Sequence, residues 1–287
     1  MKKYLLYKFF ILTALLFTFN DTHAQKKLFK GEPGMVSYTY RKLFEKDVPS
    51  TLDKIKSLGI TDIEFSNLFG KTAKELRTWL DERGLNCSSF GVSYPDLVNK
   101  TVEVAANAKT LGADYVRVAG IPHSKTMTFD EMQKAVNDFN TVGKILKEQY
   151  GLTLIYHNHG FEFQPYQNGT LYDYLVTRTD PKYVSLELDI LWAFFPGQDP
   201  AAMLNKYGRR YKALHLRDLK KGVSRGDMSA GTAQDNDVAL GTGQIDIPAV
   251  IKAAKKAKVK HYYIEDESTH IETQVPQSIA YLKSLVK

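Results

Sequence analysis

Cysteine is almost missing: Cys87 is the only one in 287 residues. No intramolecular disulfide can form, so stability must come from a large buried core. The neighbours of Cys87 suggest a buried strand position and not a nucleophile. Charge of one sign is not concentrated anywhere. The chain holds 39 Lys and Arg against 32 Asp and Glu, a formal +7, but the two signs are interspersed. The densest basic stretches, 252–260 and Arg209-Arg210, read as exposed helix faces, so a nucleic-acid surface is excluded. Low-complexity tracts, linkers and shifts of composition are also absent, which argues for one domain.

Long apolar runs are lacking beyond the first 24 residues. There, Lys2, Lys3 and Lys8 precede an apolar stretch from Phe9 to Phe19, and Thr22-His23-Ala24 has the small-residue form of a cleavage site. The run is short for a membrane span, although an uncleaved anchor is the alternative. The expectation is a signal peptide over 1–24 and a domain over 25–287, exported to the periplasm or secreted. No stable membrane insertion is expected after cleavage. Removing 1–24 takes away three lysines and one aspartate and leaves +5.

What is present is a repeated alternation of short apolar runs with helical patterns. The runs predict strands over 35–40, 61–65, 86–92, 113–119, 152–157, 183–189, 211–216 and 261–264. Helices are predicted between them, including 49–58, 71–83, 97–111, 170–177, 199–207 and 247–257, with a closing helix over 277–286. Glycines at 59, 84, 112 and 151 stop four of the helices, and Thr128-Phe129-Asp130-Glu131 has the pattern of a capping box. Eight such units predict an α/β fold, a single (β/α)8 TIM barrel. One irregular stretch, 220–243, is long enough to read as a substrate lid.

Ionisable residues close four successive strands in the second half. They are His157-Asn158-His159 with Glu162, then Asp189, then His215, then Glu265-Asp266-Glu267. Each alone could cap a turn or sit satisfied in a core. At the strand ends of a barrel they converge on one mouth. Carboxylates with imidazole suit a divalent metal such as Mn, Mg, Co or Zn. Glu162 is the preferred fifth-strand ligand and His157 its rival. A surplus imidazole is a natural acid or base. Glu64 and His123 end the second and fourth strands and could bind substrate hydroxyls or cap turns. Trp192 could be core or a stacking wall. Arg117 and Arg217 are the main cations at the strand ends.

Taken together, these stretches resemble the sugar phosphate isomerase/epimerase family of the xylose isomerase-like TIM barrels. The resemblance rests on His-Asn-His-x-Phe-Glu from 157, Glu-Leu-Asp at 187–189, His-Leu-Arg-Asp at 215–218, Gly-Thr-Gly-Gln-Ile-Asp at 241–246 and Glu265. It implies a divalent metal held by Glu162 (or His157), Asp189, His215 and Glu265. Ketose epimerases of the group carry a glutamate at the end of the fifth strand, where this chain has Tyr156-His157. Many members carry His three residues after the metal aspartate, and this chain has Trp192.

The resulting expectation is an exported, metal-dependent isomerase or epimerase acting through an enediolate on a small-molecule carbohydrate, a keto-sugar. A lyase, hydrolase or dehydratase of the same superfamily, acting for example on a 3-keto-glycoside, is the alternative. A sugar-binding barrel without catalysis is the alternative of another class. An oligomer is compatible with the sequence. His157, His159 and Glu265 form the expected catalytic set, with proton transfer assigned to His157 and His159 as alternate. Glu64, His123, Trp192 and Arg217 form the expected substrate-binding set.

Overall fold

The computed structural model describes residues 27–229 and 231–286. The leader expected over 1–24 lies outside them. Among the described residues no helix is long and apolar enough to cross a membrane.

Eight parallel strands close into a barrel: β1 (Gly34–Val36), β2 (Asp62–Phe65), β3 (Asn86–Val92), β4 (Tyr115–Val118), β5 (Thr153–His157), β6 (Val184–Asp189), β7 (Tyr211–Leu216) and β8 (His261–Ile264). Neighbours in sequence are neighbours in space, and β8 pairs with β1 to close the ring. This is the TIM barrel expected from the sequence.

Helices coat the outside. Local chemistry fixes their ends. Thr128 and Glu131 form a reciprocal capping box at the start of Phe129–Tyr150. Gly112 and Gly151 close their helices in the left-handed conformation that glycine tolerates best. The apolar residues that face outward from the strands join the helices in one continuous shell of core. A much smaller group, Val36, Tyr115, Ile155, Ala213 and Tyr263, fills the barrel interior. Because side chains alternate along a strand, one face of each strand feeds the shell and the other the interior.

Four expectations are corrected. The first strand stops at Val36, and Ser37–Tyr40 turns into a 3-10 helix. Ser37 is captured there by Ser66, whose backbone N–H donates to its hydroxyl at 2.8 Å. The predicted helix over 97–111 is two helices, Tyr94–Asn99 and Thr101–Leu111, broken at Lys100. The closing helix begins earlier, at Ile271, with Pro276 inside it.

The stretch 220–243 is not a free lid, and none of its described residues lines the cavity described below. Its base is a two-stranded ribbon, Asp218–Leu219 against Asp237–Val238. Arg225 donates to the carbonyls of Phe194 and Gln198, both at 2.8 Å. The carboxylate of Asp218 accepts the backbone N–H groups of Leu219, Gly241, Gly243 and Ile245. A side chain on Gly243 would collide with that carboxylate. The Gly-Thr-Gly turn therefore serves Asp218.

Candidate active site

Strand register brings the ionisable groups together. His157 on β5 lies opposite Glu187 on β6, and Asp189 lies opposite His215 on β7. Tyr263 on β8 is level with His215. Glu265, two residues beyond Tyr263, therefore points inward one layer higher.

His157, Asp189, His215 and Glu265 each offer a ligand atom within 4.8 Å of the others, and all four are buried. His157 Nε2 is 3.1 Å from His215 Nδ1 and 3.6 Å from Asp189 Oδ2. Glu265 Oε2 is 2.7 Å from His215 Nδ1. Asp189 Oδ2 is buried and accepts no hydrogen bond. Its Oδ1 is committed to the Trp192 N–H at 2.8 Å. Asn158 holds the backbone of Asp189 from both sides, accepting from its N–H at 3.0 Å and donating to its carbonyl at 3.3 Å.

Glu162 is not in this group, and the expectation is corrected. Tyr156 and His157 are successive residues of β5, so they face opposite sides of the strand. Glu162 accepts the Tyr156 hydroxyl and the His159 N–H, on the outer side. Burial pushes its carboxyl up to about 7. His157, the rival, takes the fifth-strand place in the cluster. Its assignment as the proton-transfer group is weakened by the same geometry, because the lone pair facing the cluster is engaged there.

A second layer lies beneath. Glu64 accepts from His215 Nε2 at 2.8 Å and pairs with Arg117 at 2.7 Å. Glu187 lies 3.3 Å from His215 Nε2. Glu64 is thus corrected from a substrate contact to the group that orients His215, as carboxylates do for ligating imidazoles. Burial would raise the Glu64 carboxyl, but Arg117 and His215 hold it down at about 2. Glu187 is pushed up to about 8 by burial and by Glu64. Neither of its oxygens has a hydrogen-bond partner.

Arg217 is likewise corrected. It is buried and does not line the cavity. It donates twice to Asp237, at 2.7 and 3.0 Å, and pairs with Glu267 at 2.8 Å. Its remaining reach is toward Asp189 at 3.6 Å and Glu265 at 3.7 Å. His123 is exposed and lies against Phe161, outside the cavity. Strand β4 ends at Val118, and the chain has turned away by then.

The cluster opens into a cavity of about 360 Å³. Tyr38, His157, His159, Trp192, Glu265 and Glu267 are among its walls. His159 Nδ1 is buried without a partner, and burial followed by the nearby His157 drives its imidazole down to about 3. It is a neutral ring at any physiological pH. From the sequence, Tyr38 reads only as a strand residue, and Glu267 only as a member of the Glu265-Asp266-Glu267 cluster, with no role assigned. Glu187 carried a readable signal, because it stands two residues before Asp189 on the same face.

The family match decides what this barrel is. A profile described as xylose isomerase-like TIM barrel matches residues 52–285. The chain belongs to the xylose isomerase-like TIM barrel family. Within reach of this member are inosose dehydratases. One from Bacillus anthracis is 34% identical over 201 residues, 62% of this chain and 66% of that protein. One from Lacticaseibacillus casei is 25% identical over 232 residues, 72% and 77%. Solved members of similar shape include a sugar phosphate isomerase/epimerase from Parabacteroides distasonis. Its TM-score is 0.74 at 24% identity, covering 93% of this chain and 99% of that one. The IOLI protein with a bound zinc atom scores 0.69 at 14% identity, covering 88% and 95%.

The family implies a divalent metal, and the residues present fit one. Two imidazole nitrogens and two carboxylates converge, and Asp189 Oδ2 accepts no hydrogen bond. Six carboxylates, those of Glu64, Glu187, Asp189, Asp237, Glu265 and Glu267, surround the two guanidiniums Arg117 and Arg217. Burial lowers the basicity of His215, but Glu187 and Glu265 outweigh it and raise it well above the usual value. A buried excess of negative charge is stable only if neutralised by protons or a cation.

Proposed function

We propose that this chain is a divalent-metal-dependent enzyme that removes the proton beside the carbonyl of a polyhydroxylated ketone. The hydroxyl one carbon further is then expelled as water. The observation that carries this reading is the convergence of His157, Asp189, His215 and Glu265 beneath a single open cavity. These four would hold the metal, which supplies Lewis-acid stabilisation of the oxyanion that forms on the carbonyl oxygen.

The chain's own residues supply the rest. Glu267 is the cavity-lining carboxylate outside the cluster, and the reading assigns it the proton removed from carbon. Arg217 holds its Oε1 at 2.8 Å, and Arg41 lies 3.9 Å from its Oε2. The electron pair left on carbon forms the double bond as the C–O bond breaks, and the departing hydroxide leaves as water with the proton that Glu267 took from carbon. His159 Nδ1 hydrogen-bonds a substrate hydroxyl. Trp192 and Tyr38 offer ring faces to the apolar side of a sugar or cyclitol.

The dehydratase relatives support elimination over isomerisation or epimerisation. All three start with the same proton, and they part only in the fate of the enediolate. Incubation of a keto-cyclitol and a panel of keto-sugars, followed by NMR of the products, tests this. An unsaturated or diketone product supports elimination. A rearranged or inverted sugar with no loss of water overturns it.

A further inference from the structure

Strand order brings two basic stretches that are far apart in sequence onto one face of the barrel. Arg209 and Lys212 stand at the start of β7. Lys260 stands just before β8, and its N–H donates to the Lys212 carbonyl at 2.9 Å. Lys255 and Lys256 occupy the last turn of the helix Ile247–Ala257, and Lys258 caps it. All lie at the end of the barrel where the strands begin, opposite the mouth. Lys212 is half-buried, and the other five are exposed.

The protein does not neutralise this face. Nearby, Lys206 is paired with Asp173 at 2.5 Å and Lys283 with Glu32 at 2.7 Å. Among the described residues, none of Arg209, Lys212, Lys256, Lys258 and Lys260 is ion-paired. Lys212 donates to the Arg209 carbonyl at 2.8 Å, and Lys256 reaches the neutral amide of Asn205 at 3.5 Å. Burial, and then the like charges of Lys260, Arg209 and Arg210, lower the Lys212 ammonium. The helix dipole favours cations at Lys255, Lys256 and Lys258. It does not account for Arg209, Lys212 and Lys260, which lie outside that helix. Lys258 also sits at φ +63°, the conformation in which Gly112 and Gly151 close their helices. A cation therefore stands where glycine is least strained.

The N-terminal segment reaches the barrel at this same face. The Leu28 carbonyl accepts Lys255 Nζ at 2.5 Å, and the exposed Lys27 bridges to Val286. Val286 is itself exposed, an apolar side chain beside the cations. Lys27 lies eight residues after Phe19, where the apolar run of the leader-like stretch ends, at most about 28 Å of chain. We infer that this basic face docks on an anionic lipid bilayer, with the mouth of the barrel turned away from it. Clusters of roughly 4–8 Lys and Arg beside an apolar segment bind acidic headgroups. Here the fold assembles the cluster from separate stretches. A single-stranded nucleic acid would need aromatic platforms, and the exposed aromatic side chain among the described residues, Tyr38, is at the mouth. The docking is peripheral. It does not depend on the proposed reaction or on removal of 1–24.

The test is cosedimentation of the protein, as its native host makes it, with two kinds of vesicle. One mixes phosphatidylglycerol with phosphatidylcholine, and the other is phosphatidylcholine alone. Binding should be stronger to the anionic vesicles and should weaken as salt is raised. Lys256→Gln, Lys258→Gln and Lys260→Gln together should weaken it about 100-fold, at roughly fivefold per charge. Lys71→Gln, Lys74→Gln and Lys125→Gln together remove the same net charge from exposed positions after β2 and β4, at the mouth end, and should leave binding unchanged. Both triple variants alter only exposed side chains, so each should keep the wild-type melting temperature. Equal binding to the two kinds of vesicle, undiminished binding in the first variant, or an equal loss in the second overturns the inference. Binding to a DNA duplex in place of vesicles would assign the face to a nucleic acid and overturn it too.

Discussion

At the scale of single residues, the alternation of side chains along β5 decides which of two candidates joins the cluster. His157 faces the barrel interior, and Tyr156 beside it takes Glu162 to the outside. Glu162→Gln should therefore keep its metal, whereas His157→Ala, Asp189→Ala and His215→Ala should lose it, all read by metal analysis of purified protein. The same glutamate makes a stability prediction. Its folded-state carboxyl is raised to about 7 by burial, so between about pH 4.5 and 7 the native state binds a proton that the unfolded chain has released. Its contribution is fully present below that window and is lost as pH rises through it, about 3 kcal/mol at most. Glu162→Gln should flatten this part of the pH–stability curve in denaturant titrations, and an unchanged slope would contradict the assignment. In the layer below, Glu64→Gln should weaken metal binding about 10–100-fold by loosening His215. Asp189, His215 and Glu265 were legible as strand-end residues. The choice of His157 over Glu162 was not, because a linear sequence does not say where β5 stops and the chain begins to curl back.

At the scale of elements, strands were more legible than the segments between them. The eight apolar runs predicted the barrel because the shell core demands apolar residues on each strand. The first strand was overextended because Val36, Tyr38 and Tyr40 alternate as a strand would. Capture of Ser37 by Ser66 is a contact across 29 residues that no local pattern contains. The stretch 220–243 looked free because it is polar and glycine-rich, yet its partners, Phe194, Phe195 and Gln198, lie on another element. It is also seated on the β5 loop, since a side chain on Gly160 would overlap the Ser229 carbonyl. Gly160→Ala should unseat it, giving faster proteolytic cleavage within 220–243 at unchanged metal content. Cleavage at the wild-type rate would show that the seat does not hold the segment.

At the scale of the whole molecule, under the proposed reading, the excess of buried carboxylates ties folding to metal binding. A ligand that binds only the native state at about 100 times its dissociation constant adds about 2.7 kcal/mol, or roughly 5–10 °C in melting temperature for a chain of this size. His215 must give up its proton to become a ligand, and its basicity is raised. Metal affinity should accordingly climb with pH, about tenfold per unit, until that raised value is passed. We also propose export, from the leader-like 1–24; the mature protein from its native host should begin at Gln25, and an intact Met1 on cytosolic protein would refute this.

The central claim is that the four-group cluster activates a carbon acid. Proton NMR in D₂O of a keto-cyclitol or keto-sugar with chelator-stripped and Mn²⁺- or Co²⁺-reloaded protein tests it most directly. The account expects deuterium at the carbon beside the carbonyl with the reloaded protein only, and none with Asp189→Ala. Exchange at the same rate in stripped protein or in Asp189→Ala would contradict it.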